Sequence, residues 1–301
     1  MKILITGATG LIGSKIVDLC MEENISVNYL TTSKGKIEDK PNYKGFYWNA
    51  KNGEIDVKAF EGVSAIVHLA GATISKRWTN SYKKKILESR VQTANLIYDT
   101  LKDIDHTIVQ FISASGISIY PNSKTKLYYE ESAEVDDTFL AEVVVAWEAA
   151  ADQFRALSME VCKIRTGVVL SKKDGALEKL IQPVKAGFGA ALGSGKQWLS
   201  WIHVDDLACI YMEAILKEWE GIYNAVAPNP VTNQKMTQKI AEKLEKTLWL
   251  PDVPGFFLKL ILGEMAVLVL EGQLVSSSKI EKNGFRYKYH NIENALQDLL
   301  K

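Results

Sequence analysis

Hydrophobic positions along the chain follow two rhythms. Short apolar runs open it at Ile3, Leu4 and Ile5 and recur over residues 26–31, 45–49, 65–69, 107–113 and 161–170. Runs of that length read as buried strands. Between them lie longer stretches with apolar residues three and four apart. Leu11, Ile12, Ile16, Val17 and Leu19 share one side of a first helix; Ile86, Leu87, Val91, Ala94, Leu96, Ile97 and Leu101 share one side of a helix over 78–101. Asp137 and Thr138 stand where a helix N-cap is expected, before a third helical stretch reaching about residue 156. Strand and helix alternate at crossover spacing, which predicts an α/β fold built on a doubly wound parallel sheet of Rossmann type.

The first junction carries the strongest chemical signal. Gly7, Gly10 and Gly13 stand three apart between the first strand and the first helix. Glycine permits a tight turn and close approach of backbone to ligand, and the following helix offers unpaired N–H groups to a pyrophosphate. An ordinary glycine-rich turn would look similar, but strand, glycines and helix in this order favour dinucleotide binding. The second strand ends in Thr31, Thr32, Ser33 and Lys34, with no carboxylate before Glu38. An acidic residue there would bind the ribose 2′-OH of NAD. Hydroxyls and a lysine suit a 2′-phosphate, so the expected cofactor is NADP, with NAD left open because no arginine is present for a bidentate grip.

Other strand ends offer candidates too. Leu69, Ala70 and Gly71 close one strand with small residues, and Ser113, Ser115 and Tyr120 follow another. Beyond residue 170 the character changes. Gly187, Gly189, Gly193 and Gly195 mark a loop region, Asp205 is placed to cap a helix reaching about residue 216, and residues 247–301 read as short helices broken by Pro251, Pro254 and Gly263. His203, just before a helix, reads as a structural histidine rather than a general base. The expected organisation is a dinucleotide-binding domain over 1–170, rejoined by 197–230. A smaller, mostly helical substrate-side region takes 171–196 and 231–301.

Composition narrows the options. The chain has 301 residues, 47% hydrophobic, with 36 basic and 36 acidic residues. A balanced charge argues against nucleic acid as the partner. The apolar run at 256–270 contains Lys259 and Glu264 and is too short to span a bilayer, so no membrane association is expected. Cys20, Cys162 and Cys209 lie in apolar patterns and read as buried free thiols in a reducing, cytoplasmic setting. No Cys/His cluster has metal-ligand spacing, so no metal is expected.

Together these stretches resemble the extended short-chain dehydrogenase/reductase superfamily, which includes nucleotide-sugar epimerases and dehydratases. The segments are Thr6 to Gly13, His68 to Gly71, Ser113 to Tyr120, Arg165 to Val168 and Ile202 to Asp206. Lys76-Arg77-Trp78, Ser89-Arg90, Trp147-Glu148, Gly193 to Gln197 and Trp201-Ile202-His203 are similar to an atypical subfamily labelled "epimerase family protein". Gly263-Glu264-Met265 and Gly272-Gln273 resemble that subfamily's C-terminal domain of unknown function. The resemblance implies that Gly7, Thr9, Gly10, Leu11 and Ile12 hold the pyrophosphate and that Thr31, Thr32 and Ser33 lie by the adenosine ribose. It also implies that Leu69, Ala70, Gly71 and Arg90 pass beside the dinucleotide and that Ser113 and Val168 flank the nicotinamide. Arg77, Trp78, Lys196, Gln197 and Trp201 would be substrate-side residues, although each tryptophan would serve equally as core packing.

One departure stands out. The superfamily's catalytic Tyr and the Lys four residues later align with Leu140 and Val144. Neither carries a proton or a charge. The remaining catalytic candidates are Ser115, whose hydroxyl could bond a substrate carbonyl, and Tyr120, which could act as an acid if a nearby cation lowered its pKa. The leading reading is an NADP(H)-binding oxidoreductase or epimerase-like enzyme acting on a small or sugar-like molecule, with helices 79–101 and 138–156 as candidates for pairing in a homodimer. A non-catalytic dinucleotide sensor is the alternative. An active nucleotide-sugar epimerase is a third, weakened by Leu140.

Overall fold

A computed structural model describes residues 1–301. The chain enters through β1 (Lys2–Thr6), α1 (Leu11–Glu22) and β2 (Ser26–Thr31), then the short β3 (Asp39–Lys40), β4 (Tyr43–Asn49), β5 (Glu54–Ile55) and β6 (Ala65–His68). The long α2 (Asn80–Lys102) leads to β7 (Gln110–Gly116), β8 (Leu127–Tyr128) and α3 (Phe139–Asp152). Next come β9 (Glu160–Thr166), β10 (Val168–Leu170), α4 (Ala176–Lys185), β11 (Trp198–Leu199), β12 (Trp201–His203), α5 (Val204–Leu216) and β13 (Gly221–Ala225). The chain finishes with β14 (Val231–Thr232), α6 (Asn233–Lys243), α7 (Gly255–Leu262), α8 (Val267–Leu270), β15 (Leu274–Val275), α9 (Ser278–Lys282) and α10 (Ile292–Leu299).

Two compact units result. The first comprises Met1–Ser115, Glu142–Ile164 and Ala208–Ile222; the second comprises Gly116–Ala141, Arg165–Leu207 and Tyr223–Lys301. The main sheet runs in the order β13-β9-β7-β6-β1-β2-β4-β3, with β5 beside β4. β1 is parallel to both β2 and β6, with Leu4 level with Asn28 on one side and Ile66 on the other. The chain winds outward from β1 through β2 to β4, then returns and winds the other way through β6 and β7. The crevice where the order reverses, at the carboxyl ends of β1 and β6, is where this sheet type admits ligand. The mostly parallel doubly wound sheet expected from the apolar runs is what forms.

Leu4, Leu30, Ile66, Ala94, Ile97, Phe111 and Phe154 belong to the first unit's core, where the Phe111 and Phe154 rings stack with centroids 3.6 Å apart. Leu170, Leu177, Ile181, Trp201, Met236, Ile240 and Leu296 belong to the second unit's core. Several boundaries differ from expectation. The apolar run over 161–170 is two strands, because the chain leaves the main sheet at Gly167. A Cβ there would stand 2.2 Å from the Ser200 carbonyl oxygen, so only glycine lets β10 turn in beside β12. α3 ends at Asp152 and passes into a 3-10 turn over Gln153–Leu157. Thr138 caps it, accepting the Ala141 N–H at 3.4 Å. The cap at α5 comes from His203, whose Nδ1 accepts the Asp205 N–H at 3.1 Å; Asp205 lies inside the first turn instead. Cys20 and Cys162 are buried free thiols, but Cys209 is only partly covered. No helix is long and apolar enough to cross a membrane.

Candidate functional site

The glycine turn is built by contacts that exclude side chains. Gly7 adopts φ +74°, and its carbonyl accepts the Gly10 N–H at 2.9 Å. A Cβ on Gly13 would fall 2.2 Å from that same carbonyl oxygen and 2.8 Å from the Ala8 Cα. α1 therefore starts hard against the turn, and Gly10 at its N-cap supplies no side-chain partner to the first helical N–H groups. Thr9 and Gly10 are exposed, with Leu11 and Ile12 half-buried.

The neighbouring strand end is tied to this turn. Thr6 Oγ1 accepts the N–H groups of Leu69 and Ala70, both at 3.0 Å, and lies 3.0 Å from His68 Nδ1. With two protons already accepted, the Thr6 hydroxyl donates to Nδ1. The imidazole then carries its proton on Nε2, 3.2 Å from Thr93 Oγ1. Burial holds the His68 pKa down to about 4, so the ring is a neutral brace. At the β2 end, Thr31 is buried and its Oγ1 accepts the Ser33 N–H at 3.2 Å. Thr32 and Ser33 are exposed, and Lys34 Nζ lies 5.0 Å from the centre of the Tyr47 ring. Glu38, the first carboxylate beyond β2, is engaged by Lys40.

Arg90 on α2 comes up beneath Gly71. A Cβ on Gly71 would stand 3.0 Å from the guanidinium carbon. Arg90 Nη1 donates to the carbonyls of Ala72 at 3.2 Å and Ile86 at 2.9 Å, and the guanidinium lies 4.8 Å from the centre of the Trp147 ring on α3. No carboxylate pairs with it. Burial without a counter-ion pulls its pKa down to about 10. Arg90 Nε and Trp147 Nε1 are both shut off from solvent without an acceptor in the protein.

The hydroxyl cluster at the end of β7 is committed to the protein. Ser113 Oγ donates to the Ala114 carbonyl at 2.9 Å. Ser115 Oγ donates to Glu148 Oε1 at 2.6 Å, both residues buried. While its proton is held there, Ser115 meets a ligand through lone pairs, which favours a hydroxyl over the carbonyl expected earlier. Val144 is buried, as is Leu140 in the second unit.

Tyr120, in the second unit, is fully buried and stacks on Tyr128. Its hydroxyl donates to Asn224 Oδ1 at 2.9 Å and accepts from Arg165 Nη1 at 2.8 Å. Burial outweighs the adjacent guanidinium and pushes its pKa up, so the lowering that an acid role needs does not occur. Trp201 lies in the core with Nε1 donating to the Asn229 carbonyl, a correction to its reading as a cleft residue, since a side chain with no exposed surface packs rather than receives. Gln197 is likewise buried, its Nε2 bridging the carbonyls of Leu192 and Val269. Arg77 and Lys196 are exposed, Trp78 bonds the Ile74 carbonyl, and Val168 is half-buried on β10. The first unit thus gathers Gly7, Leu69–Gly71 and Arg90. Reasoning from sequence missed Trp147 and Glu148 as partners of that unit's arginine and serine; their adjacency in one motif was the available signal.

Comparison with known proteins agrees with this geometry. Residues 3–225 match the NAD dependent epimerase/dehydratase family, and residues 253–299 match a domain of unknown function. An epimerase family protein SDR39U1 homolog of Arabidopsis thaliana, named as chloroplastic, is 38% identical across all of this chain and 87% of its own length. An epimerase family protein of Staphylococcus aureus is 34% identical over 99% of this chain and 98% of its own. Among solved structures, human epimerase family protein SDR39U1 with NADPH superposes with a TM-score of 0.85 at 27% identity, covering 99% of both chains. A nucleoside-diphosphate sugar epimerase from Corynebacterium glutamicum gives 0.80 at 30% identity, covering all of this chain and 58% of that one. With the glycine turn, the reversal at β1 and β6 and a match over most of its length, the chain belongs to the NAD dependent epimerase/dehydratase family.

Proposed function

We propose that this protein binds NADPH at the end of β1 and serves as an oxidoreductase or epimerase-like enzyme on a small or sugar-like substrate. The observation that carries the reading is the side-chain-free turn at Gly7, Gly10 and Gly13 beside an arginine with no acidic partner. A helix start with open N–H groups and a nearby unpaired cation suit a pyrophosphate. Gly7, Thr9, Gly10, Leu11 and Ile12 would hold it. Thr31, Thr32 and Ser33 would meet the adenosine ribose, where the absence of a free carboxylate favours a 2′-phosphate. Leu69, Ala70, Gly71 and Arg90 would line the path toward the nicotinamide, with Ser113 at that end. A human relative solved with NADPH supports the preference, while structural neighbours solved with NAD keep NAD in play.

When bound, a nicotinamide supplies hydride chemistry. Ser115, its hydroxyl donating to Glu148, would orient a substrate hydroxyl through its lone pairs. Nicotinamide fluorescence tests the reading: titration should give tighter binding for NADPH than for NADH, and no binding of either at millimolar concentration overturns it. A non-catalytic sensor is the second reading. It is favoured by the Tyr120 hydroxyl, already engaged by Asn224 and Arg165. Turnover abolished by Ser115→Ala would exclude it. NADPH that stays reduced across a broad panel of carbonyls and nucleotide sugars would favour it.

A further inference from the structure

The second unit carries a helix that buries nothing. α7 (Gly255–Leu262) has one charged residue, Lys259, and none of its residues is buried. Phe256, Phe257, Leu260 and Ile261 are 69%, 50%, 78% and 59% exposed. A helix that is apolar nearly all round belongs in a core or against a partner. Beside it runs a groove of about 450 Å³, lined by Asn122, Gly193, Phe256, Lys259, Leu270 and Glu271 among others. Phe256, Lys259 and Leu260 are spaced to share one side of α7, so the exposed Leu260 stands next to the groove. An apolar knob and a partly apolar socket thus lie side by side.

Size and charge select the occupant. At about 200 Å² for a whole large side chain, the four exposed fractions amount to about 500 Å² on one copy and about 1,000 Å² on two. That meets the lower bound of about 1,000 Å² for a specific interface before the groove is counted. Burial and the nearby Asp136 and Asp137 hold the Glu271 pKa up, and Lys259 offsets them only in part. The groove therefore has one cation, Lys259, set against three nearby carboxylates. That acidic rim repels an anionic bilayer. A second copy turned through a two-fold axis instead brings its own Lys259 to the carboxylates. We propose that α7 and its groove form a two-fold homodimer interface, with Leu260 of each copy seated in the groove of the other and Lys259 of each copy facing Glu271 of the other. Helices 79–101 and 138–156, expected from the sequence to pair, expose a single large apolar side chain, Val145.

Sedimentation of the full chain tests the interface. The wild type should be a dimer at about 10 μM, and Leu260→Glu should weaken it about a hundred-fold or more by placing an unpaired charge in each groove. Val145→Glu should leave the dimer unchanged. Lys259→Glu and Glu271→Lys should each weaken it about ten-fold or more, because like charges then face each other. Mixing these two variants should restore dimers, since each copy supplies the charge the other needs; a pairing within one chain is not restored by mixing. Should Leu260→Glu fail to fold, the mixing experiment decides alone. A wild type that stays monomeric at about 100 μM overturns the interface, and flotation of that monomer with phosphatidylglycerol vesicles would name a lipid surface as the occupant instead. A dimer untouched by Leu260→Glu, a dimer broken by Val145→Glu, or a mixture no tighter than either charge variant alone also overturns it.

Discussion

Two arginines of this chain lie over aromatic rings and differ in everything else. Arg165 sits 5.1 Å from the centre of the Tyr120 ring and donates to that residue's own hydroxyl, which also reaches Asn224. Arg90 sits 4.8 Å from the Trp147 ring but bonds only neutral carbonyls and keeps an unpaired Nε. The same residue type on the same kind of platform is internal scaffolding in one place and an open donor in the other. A polar group whose partners are all protein contributes to folding. One left short of partners marks where the protein expects something else.

The largest effect should come from the glycine turn after β1. Gly13→Ala drives a Cβ against backbone atoms, so it should cost on the order of 4 kcal/mol in denaturant unfolding and abolish NADPH binding. Gly10→Ala, whose Cβ would stand 3.2 Å from the Gly7 oxygen, should fold and lose binding alone. If Gly13→Ala binds NADPH normally, the turn is not the pyrophosphate site. The arginines themselves come next. Arg165→Met should destabilise by about 2 kcal/mol, because the buried Tyr120 hydroxyl loses the charged donor it accepts from and keeps only its bond to Asn224, whereas Arg90→Met should fall within about 1 kcal/mol of wild type. Equal losses in the two variants would erase the contrast.

His68 braces the Arg90 side and adds a pH dependence. Its folded-state pKa near 4 lies below the ordinary 6.5, so the unfolded chain takes up the proton first as pH falls. Its contribution is complete above about pH 6.5 and is lost between there and pH 4, up to about 3 kcal/mol. His68→Gln should flatten the stability curve across that window; an unchanged slope would mean another group controls it. A smaller loss is expected at Ser115. Ser115→Ala removes a bond to a buried carboxylate and should cost about 1.5 kcal/mol in thermal unfolding.

The alternation of apolar runs and amphipathic stretches was enough to read the doubly wound sheet, because period is a local property that each segment carries by itself. The glycine turn was legible for the same reason. Trp201 was not, since an aromatic that packs and one that lines a cleft are written alike. Tyr120 depended on a condition, a lowered pKa, that burial reversed.

The sequence by itself determined the order of strands and helices and the glycine turn at Gly7 to Gly13. Only tertiary structure decided that Arg90 lies under Gly71 against Trp147 while Arg165 lies over Tyr120, and that the Ser115 hydroxyl donates its hydrogen bond to Glu148. These outcomes depend on which distant groups arrive within hydrogen-bonding reach. The free energy of a buried charge or hydroxyl is set by those partners, not by the residue's neighbours along the chain.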